Sequence, residues 1–548
     1  MSKVTKPLML DETGKQIAEA IKNFGAPNDA QAKQAIREWL DNHPEATSTV
    51  QDGSLTIDKF TEEAKWGILK DFVSPEMYGA VGDGVTDDTE AFKTAVNTGK
   101  PIILTRNYYI APSETMVLKN SLYATGGTLT VESVEYNREL ANKNRFCGLY
   151  LFSIHSGNIS VSGLKIKTEC DQLCEMLCRK DNTSRQKYGD ISSNICAFYI
   201  GPSAQLQLSD SYFDGCGSVI SNAGTAILKN VEAINSYVPY GMANNSTAYL
   251  YNCSSSLYEK AWSGAEHNFY CWGAENTKLY VDGGTHYFSS LTGKAYTEGE
   301  DAEKSKWATN RATTIRTRCS NSELIFKNVR FLHNLEGNDG NSLIETIEAG
   351  NGIAKFINCD IEYVNYLCKQ VDSNNSFEDV TYPNIDADYL SIEFDRCKIT
   401  MGGKQRRVAY KINNGFVGNP VKFNQCEIEG YGGVYFAHLV RCICVDCTIK
   451  GLHSLPDCDA SFHGCKFMDV GVVNFRFFAI DGGGVTPAEY IGNTFIYRYL
   501  QPDFTVLTDE LTPTFLGNTC IATGALNASM QTRYPNNTYL ADYISSTK

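Results

Sequence analysis

The segment FINCDI at residues 356–361 returns as FDRCKI at 394–399 and as FNQCEI at 423–428. Positions one, four and six of this six-residue frame are apolar or small. In one uninterrupted strand, positions one and three would share a side. Here the alternation slips by one residue at position three. The same frame fits VSGLKI (161–166), LSDSYF (208–213), LKNVEA (228–233), LYNCSS (250–255) and FKNVRF (326–331). It also fits CVDCTI (444–449), FHGCKF (462–467), YIGNTF (490–495), FLGNTC (515–520) and, more loosely, VDGGTH (281–286). Recurrence every ~20 to 45 residues is the spacing of solenoid coils with insertions on one face.

Position three explains the slip. It holds Gly163, Asp210, Asn230, Asn252, Asn328, Asn358, Asp446, Gly464, Gly492 and Gly517. Gly, Asn and Asp are the residues that tolerate a left-handed backbone. Each frame therefore reads as strand, one-residue corner, strand. Arg396 and Gln425 break the rule, and less regular corners are expected there.

Position four holds Cys253, Cys359, Cys397, Cys426, Cys447 and Cys465, with Val231 and Val329 as substitutes. Val and Cys interchange where a small buried apolar group is needed. These thiols are thus expected to stack inside the coil, which accounts for part of a high count of 19 cysteines. A disulfide framework belongs to short secreted chains. Cys170, Cys174 and Cys178 recur at helical spacing; the reading preferred over a zinc site is a buried stripe on a short helix.

Composition narrows the function. The 548 residues carry 49 Lys+Arg against 63 Asp+Glu, a net charge of −14. Such an acidic chain is not built for nucleic acid, whose phosphates are met by clustered Lys and Arg. No stretch approaches the ~20 apolar residues of a membrane span. The opening MSKVTKPLMLDETGK lacks the apolar core of a signal peptide, so synthesis in a reducing cytoplasm is expected.

Residues 1–72 differ from the rest. DETGKQIAEAIKN (11–23) and NDAQAKQAIREWLDN (28–42) carry apolar residues at helical spacing, with Asp11 and Asn28 as N-caps. Then comes YGAVGDGVTDDTEAFKTA (78–95), in which Asp87 and Glu90 are spaced as a capping box before a short helix. Ala91, Phe92 and Ala95 share one face of that helix, suited to plugging the open end of a coil. PIIL (101–104) reads as the next strand.

The run from Tyr78 to Ala95 strongly resembles the entry motif of the pectate-lyase superfamily. The resemblance implies an all-β fold, a single-stranded right-handed parallel β-helix preceded by a short helical segment. Its expected organisation is an N-terminal helical head (1–72), the entry motif and capping helix (73–104), the β-helix (105–528) and a C-terminal tail (529–548). Helices followed by HPEATSTVQDGSLTIDKF (43–60), directly before such a motif, resemble the head of a phage or prophage tail protein. That resemblance implies a tailspike in a virion tail, homotrimeric, joined to other tail proteins through residues 1–72 and meeting a bacterial surface glycan.

Members of that superfamily include glycosidases, lyases, epimerases and non-catalytic binders, so fold does not settle activity. The hydrolase motif pattern of polygalacturonases is absent; Phe462-His463-Gly464 and Asp87-Asp88 are misplaced echoes of it. No calcium-binding carboxylate cluster is readable, EGEDAE (298–303) reads as a solvated loop tip, and no cofactor is implied. His155, His333, His438 and His453 stand alone and read as satisfied surface or core residues.

One region stands out, residues 258–318. Three of the five tryptophans fall there, Trp262, Trp272 and Trp307, with Tyr270, Tyr287, His267, His286, Arg316 and Arg318 around them. Aromatic faces and hydrogen-bonding side chains are how proteins hold sugars. Glu266 and Asp282 are the pair expected to act as acid and as nucleophile or base if a glycosidic bond is cut. The ligand is then a neutral glycan, or one met locally by Arg316 and Arg318. The competing readings are a non-catalytic adhesive tail component and a bacterial polysaccharide lyase or epimerase.

Overall fold

The computed structural model describes residues 72–132, 149–169, 174–179, 185–190, 193–257, 267–271, 275–288, 313–317, 321–333, 342–347, 352–364, 366–371, 390–401, 411–414, 421–430, 442–451, 455–456, 460–468, 478–479, 487–496, 513–522 and 531–541. They form a parallel β-helix. Each coil contributes a strand to a first sheet, turns one corner, and contributes a strand to a second sheet. In the first sheet Ser322–Lys327 pairs in parallel with Gly352–Ile357, which pairs in turn with Ser391–Asp395. In the second, Arg330–His333, Asp360–Val364 and Lys398–Met401 do the same. A third sheet closes the coil, with Tyr240–Met242, Phe269–Cys271, Thr313–Thr317 and Ser342–Ile347 in succession.

Every position-three residue sits at a corner with positive φ, from 50° at Asn252 to 76° at Gly283. Arg396 and Gln425, expected to be irregular, adopt 53° and 52° like their neighbours. The flanking strands are locked in register on both sides. The left-handed cost of ~1–2 kcal/mol is therefore met by the ladders rather than avoided. The asparagines add a second device. Asn358 Nδ2 donates to Asn328 Oδ1 at 2.8 Å, and Asn252 Nδ2 donates to Asn230 Oδ1 at 3.1 Å, so the amides bond along the edge.

Position one supplies the largest interior column. Phe326, Phe356, Phe394 and Phe423 stack with centroids 5.1, 4.7 and 5.1 Å apart. Those spacings match the ~4.8 Å between adjacent strands, so one aromatic per coil stacks without strain. All six position-four cysteines are buried. They do more than fill space. At the corner the position-four N–H turns inward and has no strand carbonyl to meet, so the next coil supplies a side chain. Cys397 N–H donates to Cys426 Sγ and Cys426 N–H to Cys447 Sγ, each at 3.4 Å. The thiols of Cys359, Cys397, Cys426 and Cys465 in turn donate to a carbonyl one coil back, as Cys426 does to Phe394 O at 3.4 Å. Towards the two ends other side chains take over this role. Ser211 Oγ accepts from Leu164 N–H, and Asn493 Oδ1 accepts from Cys465 N–H.

The entry motif folds as a plug, with one correction. The helix Thr89–Asn97 buries Phe92, Ala95 and Val96, and the Phe92 ring lies 6.0 Å from Tyr108 and 6.2 Å from Phe152. The expected Asp87–Glu90 capping box does not form. The N-cap is Asp88, and its carboxylate instead accepts from Val81 N–H at 2.7 Å and Gly82 N–H at 3.1 Å, fastening the glycine loop. Asp87 accepts from Thr89 N–H at 2.9 Å.

Two further expectations change. The helix expected across the Cys170–Cys178 stretch is, from Cys174 to Arg179, a strand paired antiparallel with Arg185–Asp190. Cross-strand pairing to a partner a few residues away overrides the spacing. The coil also continues past residue 528: Thr538–Ala541 pairs in parallel with Thr519–Ala522. YPNNTY (534–539) is a further copy of the frame. The head helices of residues 1–71 and the EGEDAE run lie outside the described residues. Among the described residues no helix is long and apolar enough to cross a membrane, and no group of His, Cys, Asp or Glu has metal-site geometry.

Candidate functional site

Strand parity decides where each residue of the 258–318 region goes. In Phe269–Cys271, Phe269 joins an interior column in register with Tyr240 and Ile315. Tyr270 therefore lies on the outer side of the third sheet, and register puts Arg316 beside it one coil on. The guanidinium carbon stands 5.7 Å from the centre of the Tyr270 ring. Arg316 Nη1 donates to His267 Nε2 at 3.4 Å, and the His267 ring meets Tyr270 edge-on at 5.2 Å. A guanidinium only donates, so His267 accepts at Nε2 and carries its proton on Nδ1. All three side chains are buried, at 1%, 5% and 5% exposure for His267, Tyr270 and Arg316. A cation over a ring in such a dry setting contributes ~2 kcal/mol.

The structure brings these three together and takes two others away. His286 is position six of its frame, and position six faces inward. It is fully buried, 4.6 Å from the Phe269 ring, with Ser255 Oγ 2.7 Å from Nδ1. Burial holds its pKa down to about 3. It is a core residue, and its assignment to ligand binding is corrected by the parity of its own frame. Asp282 ends a strand of the first sheet, just before the Gly283 corner. Since Gly283 has no side chain to continue the edge ladder, Asp282 takes its place: Asn328 Nδ2 donates to Asp282 Oδ1 at 2.8 Å. Lys327 Nζ lies 3.9 Å from the other carboxylate oxygen. The carboxylate thus belongs to the corner between first and second sheets, not to the third-sheet trio. Tyr287 follows His286 and is half-buried on the outer side of the second sheet. Trp262, Glu266, Trp272, Trp307 and Arg318 lie outside the described residues.

Sequence reasoning missed an aromatic surface. Tyr249 and Tyr280, in register on the outer face of the first sheet, stack 5.0 Å apart with planes 9° from parallel. Tyr251, beside Asp282 in the ladder, is 45% exposed. Burial and a hydrogen bond to Glu323 push Tyr280 up to about 12. The signal was present as Tyr-Leu-Tyr at 249–251, an aromatic at alternate positions just before a corner. Also missed was Asp360, outward on the second sheet, whose carboxyl is raised by burial and then by Glu362, against the opposing pull of Lys398 and Arg330.

No protein-family description matches the sequence. The chain is similar to the pre-neck appendage protein of Bacillus phage B103, 35% identical over 81 residues, which is 13% of this chain and 9% of that protein. It is similar over a longer region to the pre-neck appendage protein of Bacillus phage phi29, 26% identical over 169 residues, 27% of this chain and 18% of the relative. The matched regions thus span less than a fifth of either relative. Among solved structures it is similar to the Dettilon tailspike protein, with 13% identity, a TM-score of 0.37, and coverage of 83% of this chain and 72% of that one.

Proposed function

We propose that this chain is a phage tail appendage of tailspike type whose β-helix binds a bacterial surface polysaccharide. The observation that carries the reading is the outer face of the first sheet, where Tyr249 stacks on Tyr280 and Tyr251 stands 45% exposed beside Asp282. It pairs an aromatic face with a fixed carboxylate on a rigid sheet, the combination that holds a sugar ring. The similarity to phage appendage proteins supports the virion setting. On this reading residues 1–72 join other tail proteins, and three copies associate, covering sheet surface that a lone coil leaves open.

The test is direct. Purified protein is mixed with capsule and cell-wall glycans from candidate host bacteria, and binding, new reducing ends and unsaturated sugars are all measured. Binding to at least one host glycan, weakened about tenfold by Tyr251→Ala, is the expected result. No binding to any host glycan sinks the reading.

Depolymerisation is the second step of the proposal, with Glu266 as acid. Glu266→Gln is expected to abolish cleavage while the melting temperature stays in place. One observation favours the rival, a purely adhesive tail component: Asp282 is engaged by Asn328 in the corner ladder, the position of a structural carboxylate. Binding without shortening of the glycan decides for adhesion.

A further inference from the structure

The amide ladder along the corner of the first and second sheets is interrupted at Gly283. Upstream, Asn230 Nδ2 donates to Asp210 Oδ1 at 2.8 Å and Asn252 Nδ2 to Asn230 Oδ1 at 3.1 Å. Downstream, Asn358 Nδ2 donates to Asn328 Oδ1 and Asn328 Nδ2 to Asp282 Oδ1, each at 2.8 Å. Every amide donates towards the preceding coil, so Asn252 Oδ1 faces a corner whose residue, Gly283, has no donor to give. A Cβ built at Gly283 would stand 4.0 Å from Asn252 Oδ1 and 3.7 Å from Asn252 Cα, ordinary contact distances. The interruption is thus a notch with room for a side chain, and Asn252 is exposed beside it. Two outward residues border the notch. Tyr251 directly precedes Asn252 and lies in register with Asp282. Tyr249 and Tyr280 cover each other's faces, whereas Tyr251 joins no ring stack among the described residues and is their most exposed aromatic side chain. The second carboxylate oxygen of Asp282 stands 3.9 Å from Lys327 Nζ, beyond hydrogen-bond distance. One open ring face, one amide oxygen and one carboxylate oxygen therefore meet here, and both oxygens are acceptors.

We propose that this notch seats one neutral sugar ring of the bound polysaccharide, its apolar face on Tyr251 and its hydroxyls donating to Asn252 and Asp282. This seat presupposes the polysaccharide reading above and adds to it a place and a sugar class. The chemistry follows from the atoms at hand. A pyranose carries C–H groups on a face and hydroxyl donors around its rim, which matches an open aromatic ring beside two acceptors. A carboxylate or phosphate in the same place would meet oxygens that have no proton to share, and would lose its water for nothing in return. Lys229 lies one coil before Tyr251 and Lys327 one coil beyond Asp282, so both cations flank the notch from outside. The glycine is what makes the seat. Asparagine at the neighbouring corners fills the same space with its own amide.

Capsule and cell-wall glycans from candidate hosts are divided by anion exchange into neutral and anionic fractions, and each is titrated onto the full chain. The wild type is expected to bind the neutral fraction about tenfold more tightly than the anionic one. Gly283→Asn fills the notch with the amide that the neighbouring corners carry, at a left-handed position that asparagine tolerates. It is expected to weaken binding of the neutral fraction about tenfold while the melting temperature holds or rises. Loss of binding in a protein that melts no earlier separates an occupied notch from a damaged fold. Asn252→Gly guards against misfolding of that variant, since glycine accepts the left-handed corner and removes only the acceptor. The same loss is expected from it. A wild type that binds neither fraction overturns the polysaccharide reading and the notch together. Binding that survives both variants, or a wild type that prefers the anionic fraction, overturns the notch alone and leaves the polysaccharide to another surface.

Discussion

The backbone N–H of Cys465 donates to Asn493 Oδ1 at 2.7 Å, where the interior position-four column changes from thiols to amides. Asn493 N–H then donates to Asn518 Oδ1, and Asn518 N–H to Asn537 Oδ1, both at 2.8 Å. Each amide also donates backward, Asn518 Nδ2 to Tyr490 O at 2.9 Å. Asn518→Leu leaves a buried donor and a buried acceptor without partners, which costs ~2–4 kcal/mol. Asn518→Cys is expected to cost less than half as much, since a thiol accepts the same N–H in the coils upstream. Thermal melting of the two variants checks this, and equal losses would show that the column is mere filling.

At the corners the prediction concerns the backbone alone. Gln425 holds φ at 52°, where glycine has no Cβ penalty. Gln425→Gly is expected to be neutral or stabilising by up to ~1 kcal/mol, whereas Asn358→Val should cost ~1–2 kcal/mol. Val at that site is strained and also breaks the bond from Asn358 to Asn328. The ordering of melting temperatures is the readout; a stable Asn358→Val protein would contradict the corner account.

Acid should unfold this coil partly through two histidines. Burial holds His286 at about 3 and His333 at about 4. An unfolded imidazole titrates near ~6.5, so below that pH the unfolded chain takes up protons that the folded interior refuses. Their contribution is level above pH ~7. From pH ~6.5 down to ~4 each costs about 1.4 kcal/mol per pH unit. Melting is measured from pH 7.5 to 4.5 in the wild type and in a His286→Gln, His333→Gln variant. The variant should show the shallower slope, and identical slopes would rule the pair out.

Thiol chemistry offers an independent check of the interior columns. Twelve free cysteines within the described residues are buried, and burial pushes Cys253 to about 11 and Cys520 to about 12. A buried, protonated thiol is a poor nucleophile. Iodoacetamide followed by peptide mapping should leave these twelve unmodified in the native protein and label them in denaturant. Rapid native labelling of Cys397, Cys426 or Cys447 would place them outside the coil.

Much of the fold was legible because a coil obeys local rules. Position three announces its backbone through Gly, Asn and Asp, and position one announces the core through Phe. The exceptions share a cause. Arg396 and Gln425 carry no left-handed preference; their corners are imposed by neighbouring coils that no single frame contains. The hairpin strand at Cys174–Arg179 reads as a helix because period four fits both a helix face and alternate pairs of a strand. The candidate site was legible only in part. Tyr270 and Arg316 are singled out by composition and brought together by register. His286 is singled out by the same composition, although its frame position assigns it to the interior. Composition marks a region, whereas parity decides which side of the wall each residue faces.

The interior columns have a consequence for how such a chain can change over time. Phe394 stacks on Phe423, and Cys397 hands its N–H to Cys426, so the same two contacts are offered upward and downward by each turn of this stretch. Removing one residue inside a frame would turn a whole strand inside out. Excising a complete turn would instead bring two equivalent surfaces together, Phe to Phe and thiol to thiol. Length is therefore inherited in whole turns, and the molecule can lengthen or shorten its reach without redesigning what lies on either side of the splice.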